Sequence, residues 1–376
     1  MLRVGEDDTM PRILTFAVCV LVVIGLSSAG VSQSTYTLVA NWPTMPTNIF
    51  FGRSEAWPDQ PTRNIERSTR QGQGDGQPGQ RPPRPTEGTR YGQGVSGIAI
   101  DDHDRIYVFN RGLQTVIVFD HAGNFLMAGG ETDQEGAPIA GGWLHSGEVD
   151  WDGNVWVVER SNQRVVKLSR DLSTVVMQLG TTGERGNDET HFDEPSGISF
   201  TREGNILVTD GYGNNRVAMF SPDGTFIKQV GKGAGGPEDT GTGPSEWELP
   251  HQAAVDAEDN VYVIDRENRR IQVFDNQLNY IRELANEGWN PWDIAISRKG
   301  NDGFGYIADH AGERVHKISL TDGVILSTWG GPGRGPGEFD WVHGMAVDSY
   351  GAVYAADTYG QRVQKFVPEK TTSSPQ

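Results

Sequence analysis

Short stretches of alternating or β-branched hydrophobic residues recur along most of the chain, and tight-turn sequences bound them. One unit reads S-G-I-A-I-D at 96–101, R-I-Y-V-F-N at 105–110 and T-V-I-V-F-D at 115–120. The turns between such stretches contain D-G, E-G or D-N pairs, which favour chain reversal between strands. This pattern predicts short β-strands joined by tight turns rather than helices.

The three-strand unit occurs six times between residues 95 and 367. Its repeat length of about 40–55 residues is typical of β-propeller blades. A fourth hydrophobic stretch follows in most units, for example at 125–128 and 226–230, and four strands per blade is the propeller pattern. We therefore predict an all-β fold, a six-bladed β-propeller over residues 93–368.

The sixth unit ends after its third strand, at Phe366 and Val367, so its outer strand has to come from elsewhere. The segment 33–52 contains a short strand pattern at 36–39. Pairing of this strand with the sixth unit would close the ring and leave few exposed strand edges. We predict that this N-terminal strand closes the propeller.

An uncharged apolar run of 14 residues, Ile13 to Leu26, lies near the N-terminus. A membrane-spanning helix needs about 20 such residues, and the small residues at 27–30 are typical of a signal-peptidase site. We predict a signal peptide over residues 1–32, export to the periplasm or the cell exterior, and no membrane span after cleavage. An uncleaved anchor is the alternative.

Residues 53–92 are rich in Gly, Gln, Pro, Arg and Thr and contain almost no aliphatic side chains. Such a composition buries too little apolar surface to fold. We therefore predict a disordered insertion at 53–92 and a disordered tail at 369–376.

The composition agrees with a turn-rich β protein, because 49 of the 376 residues are glycine and 20 are proline. The net charge of −18 argues against nucleic-acid binding, since an acidic chain repels phosphate backbones. The single cysteine, Cys19, lies in the predicted leader, so no intrachain disulfide is expected. We expect a monomer.

One position of the repeat carries the candidate metal chemistry, five residues before the Asp, Thr or Ser that follows the first strand. Its six occupants are Ser96, His145, Ser196, His251, Trp292 and His343. First strands line the channel of a propeller, so alternate members of this ring converge on one point. Three imidazoles with an open fourth position are typical of catalytic zinc, and we predict a zinc site at the three histidines. The alternative is a structural role.

Polar residues follow the second strand of most blades. Arg111, Arg160 and Arg266 stand directly after such strands, and Tyr212 lies at the corresponding turn of the third unit. These turns should lie at one mouth of the channel, where the arginine fork can bind a substrate carboxylate. A tyrosine hydroxyl beside arginines and a divalent cation can act as a base. Alternatively, the arginines pair with neighbouring acids and the tyrosine only packs at the rim.

The more specific stretches of the chain are D-G-Y-G-N-N-R at 210–216, the P-H pair at 250–251 and D-R-E-N-R-R-I-Q at 265–272. With them, the region from Val95 to Phe366 resembles the NHL-repeat propellers, and among these the peptidyl-α-hydroxyglycine α-amidating lyases.

This resemblance implies that His145, His251 and His343 hold a zinc ion. It implies that Tyr212 is the general base, and that Arg111 and Arg266 bind the substrate carboxylate and orient the tyrosine. The implied reaction cleaves the C–N bond of a carbinolamide, a peptidyl-α-hydroxyglycine, to an amide and glyoxylate. The implied substrate is a small-molecule or peptide carboxylate.

Two features depart from this family. Its members commonly have an aspartate after the third histidine that helps to bind a structural calcium ion, but Gly344 occupies that position here. The presence of calcium is therefore left open. We also expect no partner monooxygenase domain within these 376 residues, so the hydroxyglycine is expected from another protein, or the natural substrate is a different carbinolamide.

Two other functions stay open at this point. A non-catalytic NHL propeller would bind a protein or glycan, and its histidines would be structural. A metal-dependent propeller hydrolase or lactonase is the second alternative. Such hydrolases usually hold calcium with carboxylate and amide ligands, a donor chemistry that three histidines match poorly.

Overall fold

The computed structural model of the protein describes residues 35–47, 49, 51, 94–112, 114–130, 144–232, 238–299 and 303–369. The predicted signal peptide, the predicted insertion and nearly all of the predicted tail lie outside the described residues. Within those ranges, no helix is long and apolar enough to cross a membrane.

The described residues form six antiparallel sheets of four strands each, which confirms the predicted all-β, six-bladed propeller. The first strands of successive blades contact one another around the ring and therefore surround the central channel. They are β2 (Val95–Ile100), β6 (Leu144–Val149), β10 (Gly197–Phe200), β14 (Pro250–Val255), β18 (Pro291–Ala295) and β22 (Val342–Val347).

The second strands pair with the first through tight turns. They are β3 (Ile106–Asn110), β7 (Val155–Glu159), β11 (Ile206–Asp210), β15 (Val261–Asp265), β19 (Phe304–Asp309) and β23 (Val353–Asp357). All but one of their residues are buried, because a neighbouring blade covers each face. The sequences of the second strands are accordingly near-continuous hydrophobic runs.

Two further strands complete each blade on the outside. The third strands are β4 (Val116–Phe119), β8 (Arg164–Leu168), β12 (Arg216–Phe220), β16 (Arg270–Phe274), β20 (Arg314–Ser319) and β24 (Arg362–Pro368). The outer strands are β5 (Phe125–Gly129), β9 (Val175–Leu179), β13 (Phe226–Gly231), β17 (Tyr280–Ala285), β21 (Ile325–Gly330) and β1 (Tyr36–Leu38). Three of the outer strands, β1, β9 and β17, alternate between more buried and exposed residues, because one face meets solvent.

The outer strand of blade six comes from the N-terminal side of the chain. Strand β1 pairs antiparallel with β24, with Tyr36 opposite Pro368 and Leu38 opposite Phe366. The Tyr36 ring stacks on Trp329, with 4.3 Å between ring centroids. One blade is therefore built from residues more than 300 positions apart in sequence, and this pairing holds the ring closed.

The hydrophobic core is a set of interfaces between neighbouring blades. In one of them, Val116 and Val118 of blade one pack with Val155 and Val157 of blade two. The other clusters likewise combine two adjacent blades. Burial of apolar side chains thus fixes each blade against the next, which holds the inner strands in register around the channel.

A buried acid ends the second strand of most blades and binds an arginine at the start of the third. Asp265 illustrates the arrangement, because it accepts hydrogen bonds from Arg270 Nε at 2.8 Å, Asn268 Nδ2 at 2.8 Å and Glu248 N at 2.8 Å. Equivalent pairs join Arg164 to Glu159, Arg216 to Asp210 and Arg362 to Asp357. These acids are therefore turn-stabilising groups, and they fix the residue that follows each of them at the channel mouth.

Candidate metal centre

Three imidazoles meet inside the channel. His145, His251 and His343 are the second residues of β6, β14 and β22, and all three are buried. Their ring centroids lie 4.9 Å apart for His145 with each of the other two, and 5.4 Å apart for His251 and His343. One nitrogen of each ring lies within 4.8 Å of the other two. Among the described residues, no other group of three His, Cys, Asp or Glu side chains gathers this closely.

Backbone carbonyl groups of blades one, three and five orient the three imidazole rings. His145 Nδ1 lies 2.5 Å from the Ser196 carbonyl oxygen. The equivalent distances are 2.6 Å from His251 Nδ1 to the Trp292 oxygen and 2.7 Å from His343 Nδ1 to the Ser96 oxygen. A carbonyl oxygen only accepts, so each Nδ1 carries the hydrogen and each Nε2 keeps its lone pair. The three non-histidine members of the sixfold ring thus set the tautomer of the three histidines.

Burial also keeps the imidazoles neutral. It lowers the pKa of His343 from 6.5 to about 3, and the nearby Arg111 cation lowers this pKa in the same direction. Burial and the neighbouring imidazoles hold the pKa of His145 well below its ordinary value, and burial with the Arg266 cation does the same for His251. Neutral imidazole is the form that binds metal ions. Three such donors, with no thiolate or carboxylate among them, match the donor chemistry of a catalytic zinc site.

The Tyr212 hydroxyl lies beside the point on which the imidazoles converge. Its oxygen is 3.0 Å from His145 Nε2 and 3.1 Å from His251 Nε2. Arg266 Nη1 donates to the same oxygen over 3.2 Å. The Tyr212 oxygen of blade three therefore contacts the candidate ligands His145 and His251 and the Arg266 guanidinium. Blades two, three and four all contribute to this one set of contacts.

Glycines on both sides of Tyr212 allow its loop to enter a narrow space. A Cβ at Gly213 would lie 2.0 Å from Asp193 Cγ, and a Cβ at Gly211 would lie 2.1 Å from the Pro250 carbonyl oxygen. Gly213 N also donates to the Asp193 carbonyl oxygen over 2.7 Å. Side chains at these two positions would push the loop outward, so the glycines set the depth at which the tyrosine enters the channel.

Arg111 and Arg266 lie on either side of the centre. Arg111 Nε donates to the Leu144 carbonyl oxygen over 2.7 Å, next to the candidate ligand His145. Burial lowers the pKa of Arg111 to about 10, so the side chain is still a cation at neutral pH. Arg266 is held by Glu267, which accepts from Nε over 2.9 Å. The predicted site residues of blades one to four and blade six therefore gather in one place.

Arg160 and Glu194 belong to the same site, although the repeat pattern marks Arg160 only as one of the arginines after a second strand and does not mark Glu194. The Arg160 guanidinium carbon lies 3.5 Å from the centroid of the Tyr212 ring. Glu194 fixes it by accepting from Arg160 Nε over 3.0 Å and from Nη2 over 2.5 Å. Glu194 itself adopts a left-handed backbone conformation, with φ of 59°. Arg160 follows a second strand as the other arginines do, which was the available signal, but its stacking partner comes from another blade.

Close packing at Gly344 leaves no room for the aspartate that members of the resembling family commonly have at this position. A Cβ at residue 344 would lie 2.6 Å from Gly97 Cα, so a side chain there requires movement of the backbone. The buried carboxyl in this part of the channel is Asp293, which accepts from Met345 N over 2.8 Å and from Ile294 N over 2.7 Å. Blades five and six are thus joined here by hydrogen bonds to a protein carboxyl.

Comparisons with known proteins give matches to the propeller and to amidating enzymes. A family model described as a 6-bladed beta-propeller (DUF5128) matches residues 148–301. The peptidyl-glycine alpha-amidating monooxygenase A of Xenopus laevis is 28% identical over 315 residues, which is 73% of this chain and 32% of that protein. The chain thus spans about a third of the length of this relative.

Two further relatives have different names. The probable peptidyl-alpha-hydroxyglycine alpha-amidating lyase of Caenorhabditis elegans is 33% identical over 131 residues, 35% of this chain and 36% of that protein. The NHL repeat-containing protein 3 of Mus musculus is 28% identical over 294 residues, 72% of this chain and 78% of that protein. The chain is thus a six-bladed β-propeller that is similar in sequence to peptidylglycine α-amidating enzymes and to NHL repeat proteins.

Proposed function

We propose that the protein is a zinc-dependent lyase that cleaves the C–N bond of a carbinolamide of the peptidyl-α-hydroxyglycine type. The observation that carries this proposal is the contact of one tyrosine hydroxyl with two converging imidazoles and a guanidinium. The sequence similarity to amidating enzymes supports the same reaction. The products are an amide and glyoxylate.

His145, His251 and His343 would hold the ion through their Nε2 atoms, because their Nδ1 atoms are engaged by carbonyls. Zinc, when bound, supplies a Lewis acid that polarises a substrate oxygen and stabilises negative charge on it. The fixed tautomers keep hydrogen off all three Nε2 atoms, and an entering ion would replace the contacts that two of these atoms make with the Tyr212 hydroxyl.

Tyr212 acts as the proton acceptor in this proposal. Its oxygen removes the proton of the substrate α-hydroxyl, and the O–H electron pair becomes the second bond of the new aldehyde. The C–N bonding pair then moves to the nitrogen, which takes up a proton and departs as the amide. No water is added and no oxidant is used, so the atoms of the substrate are divided between amide and glyoxylate.

The three arginines have separate tasks. Arg266 donates to the phenol oxygen and therefore orients it beside the centre. Arg160 lies over the phenol ring and holds the ring in place through a cation–π contact. Arg111 faces the centre from blade one, where a cation can bind the substrate carboxylate. The charge that develops in the reaction is thus surrounded by fixed donors.

Metal analysis of the purified full chain tests the first half of the proposal. We expect one zinc ion per protein, and we expect His145→Ala and His251→Ala to lower the zinc content to below about a tenth, since removal of one of three ligands leaves too few donors. The exposed His103 provides the control, because His103→Ala should bind zinc as the parent does. Unchanged zinc in the first two variants would refute the site.

Release of glyoxylate from α-hydroxyhippurate tests the chemistry. We expect turnover by the zinc-loaded protein, and a fall of about a hundredfold or more in Tyr212→Phe with zinc content retained. A Tyr212→Phe variant with parental turnover would remove the tyrosine from the mechanism. Absence of turnover in a parent protein that contains zinc would refute the lyase.

A non-catalytic binding propeller is the second candidate, and one observation favours it. The match to NHL repeat-containing protein 3 covers 78% of that protein, a larger share than for the amidating monooxygenase. Zinc-containing protein that is inert toward carbinolamides would favour this candidate.

We propose further that the protein works outside the cytoplasm as a monomer. The apolar run from Ile13 to Leu26, followed by small residues, supports export. Fractionation of producing cells, with mass spectrometry of the mature N-terminus, tests this. A cytoplasmic protein that retains residues 1–32 would contradict it.

A further inference from the structure

The mouth of the channel is divided into a cationic half and an aromatic half. At the position after the second strand, blades one, two and four carry Arg111, Arg160 and Arg266, while blade five carries His310. In blade six, Tyr359 lies one residue beyond that position. The repeat therefore places arginines along one arc of the mouth and rings along the other.

Four rings on the second arc form one continuous surface, which we call the aromatic wall: Trp292, His310, Trp341 and Tyr359. Trp292 and His310 have centroids 4.1 Å apart, and His310 and Trp341 have centroids 5.1 Å apart. Trp341 meets Tyr359 edge to face, with centroids 4.5 Å apart and an interplanar angle of 87°. All four side chains are only partly buried, so the wall presents ring surface to the mouth.

The aromatic wall begins at the candidate metal centre. Trp292 occupies the same ring of positions as the three ligands, and its centroid lies 5.6 Å from His251 and 6.2 Å from His343. The Arg266 guanidinium carbon lies 4.3 Å from the Trp292 centroid, and the same arginine binds the Tyr212 hydroxyl. A ligand at the centre would therefore have the wall within reach.

Glu313 links the aromatic wall to β22, the strand that carries the candidate ligand His343. Its Oε1 lies 3.0 Å from His310 Nδ1, and its Oε2 accepts from Val342 N over 2.9 Å. Val342 precedes His343 in β22. The rings are thus held at a fixed place relative to the centre, as a binding surface requires.

We propose that the aromatic wall is an acyl subsite that gives the enzyme a preference for carbinolamides whose acyl group is aromatic. This inference rests on the proposed function and names its substrate class. If the carboxylate binds on the arginine side, the acyl group on the nitrogen points away from it, toward blades five and six. A planar aromatic acyl group then packs against the rings, which favour stacked and edge-to-face partners. An acetyl group offers too little surface for this contact.

Equilibrium binding of two inert carboxylates to the zinc-loaded full chain tests the subsite. Hippurate carries a benzoyl group, N-acetylglycine carries an acetyl group, and both lack the α-hydroxyl needed for cleavage. We expect hippurate to bind at least about tenfold more tightly to the parent protein. Trp341→Leu should reduce this ratio to below about threefold, whereas Trp341→Phe, which keeps a ring, should retain most of it.

Tyr350→Leu is the matched control, because Tyr350 is also a blade-six tyrosine but is 70% exposed in the turn between β22 and β23. Its ratio of affinities should equal that of the parent. Melting temperature and zinc content establish that Trp341→Leu is folded; if it is not, the Trp341→Phe ratio and a Tyr359→Leu variant decide. Equal affinities for the two carboxylates in the parent protein, or an unchanged ratio in a folded Trp341→Leu variant, would overturn the subsite.

The same measurements separate this inference from the proposed function. If no carbinolamide is cleaved but the hippurate preference exists and depends on Trp341, the lyase fails and the subsite stands as a binding surface for aromatic carboxylates. If glyoxylate is released at equal kcat/KM from the benzoyl and acetyl substrates, the lyase stands and the subsite fails.

Discussion

At the scale of single residues, the orientation of the candidate ligands depends on main-chain atoms. The three Nδ1 partners are carbonyl oxygens of Ser96, Ser196 and Trp292, so side-chain changes at these positions leave the acceptors in place. The tyrosine differs, because its position depends on side chains and on glycines that can be changed. Mutational sensitivity around the centre should therefore concentrate at the Tyr212 loop and its arginines.

Glu194→Gln tests the support of Tyr212. Glutamine keeps the shape of the side chain but removes the charge that fixes Arg160, and a charge-assisted hydrogen bond contributes about 1.5–3 kcal/mol. We expect glyoxylate release to fall about tenfold, with zinc content unchanged. Glu184→Gln is the control, because the Glu184 side chain is 69% exposed and lies near His191 instead. Equal turnover in both variants would show that Arg160 contributes nothing to the step.

Gly213→Ala tests the close packing of the loop. The added Cβ would lie 2.0 Å from Asp193 Cγ, so the loop or its neighbour must move, at a cost of about 1–3 kcal/mol. Denaturant unfolding should show this loss. The control is Gly288→Ala, where the added Cβ meets its nearest atoms only at 3.2 and 3.3 Å. The packing argument fails if Gly213→Ala is as stable as the control.

At the scale of elements, the ring depends on one short strand. Strand β1 has three residues and supplies the outer edge of blade six. Its Tyr36 side chain stacks on Trp329 and lies 2.7 Å, oxygen to oxygen, from the Tyr306 hydroxyl. These side-chain contacts supplement a pairing that contains few backbone hydrogen bonds.

Tyr36→Ala should therefore destabilise the whole molecule. Loss of the stacked ring costs about 2 kcal/mol or more, which thermal or denaturant unfolding can measure. Tyr350→Ala removes an equal side chain that is 70% exposed and should change stability by less than about 0.5 kcal/mol. If the two variants unfold alike, closure of blade six does not depend on this contact.

The blades were predictable from sequence because each unit repeats the same strand and turn pattern. The convergence of the histidines was also predictable, since equivalent positions of a repeat lie on one ring around the channel, as with His145 and His251. The stacking of Arg160 on Tyr212 was not, because it joins two blades through loops of unequal length. The aromatic wall was not predictable either, because Trp341 lies in a loop before β22 and occupies no position of the repeat.

At the scale of the whole molecule, the charges are unevenly placed. The net charge is −18, yet the mouth of the channel gathers Arg111, Arg160 and Arg266 around the centre. A small carboxylate can bind there even though the protein is acidic, because a nearby cation outweighs distant charges that salt screens over about 8–10 Å.

The contribution of Asp293, a buried acid between the blades, to stability should fall as the pH rises from about 4 to 8. The three buried histidines act in the opposite sense, because their lowered pKa values make their contribution rise until the pH passes 6.5. Burial, with the neighbouring Glu148 carboxylate, raises the pKa of Asp293 from 3.8 to about 8. Hydrogen bonds from Met345 N and Ile294 N to the carboxylate offset this rise in part. Below pH 4 both folded and unfolded chains hold the proton. Above it the unfolded chain releases the proton first, and the stability due to the protonated carboxyl is lost as the pH passes through 8.

Asp293→Asn should remove this contribution, because the amide cannot ionise, although its one oxygen can still accept a backbone hydrogen bond. The melting temperature of the variant relative to the parent should therefore rise as the pH increases from 4 to 8. The measurement is the melting temperature of the zinc-free protein between pH 4 and 8. Glu203→Gln, at an exposed position, is the control and should follow the parent curve. A parallel curve for Asp293→Asn would show that another group controls the dependence.

Three blades place a histidine at the channel and the three between them place a carbonyl acceptor, and this alternation requires an even number of blades. Each histidine donates to the next blade, and His343 of the last blade donates to Ser96 of the first, so the pattern returns to its start only because the number of blades is even. Loss or duplication of a single blade would leave two like members side by side, and the imidazoles would no longer be evenly spaced around the channel. Only gain or loss of blades in pairs keeps the alternation, and only a ring of six blades then contains three histidines.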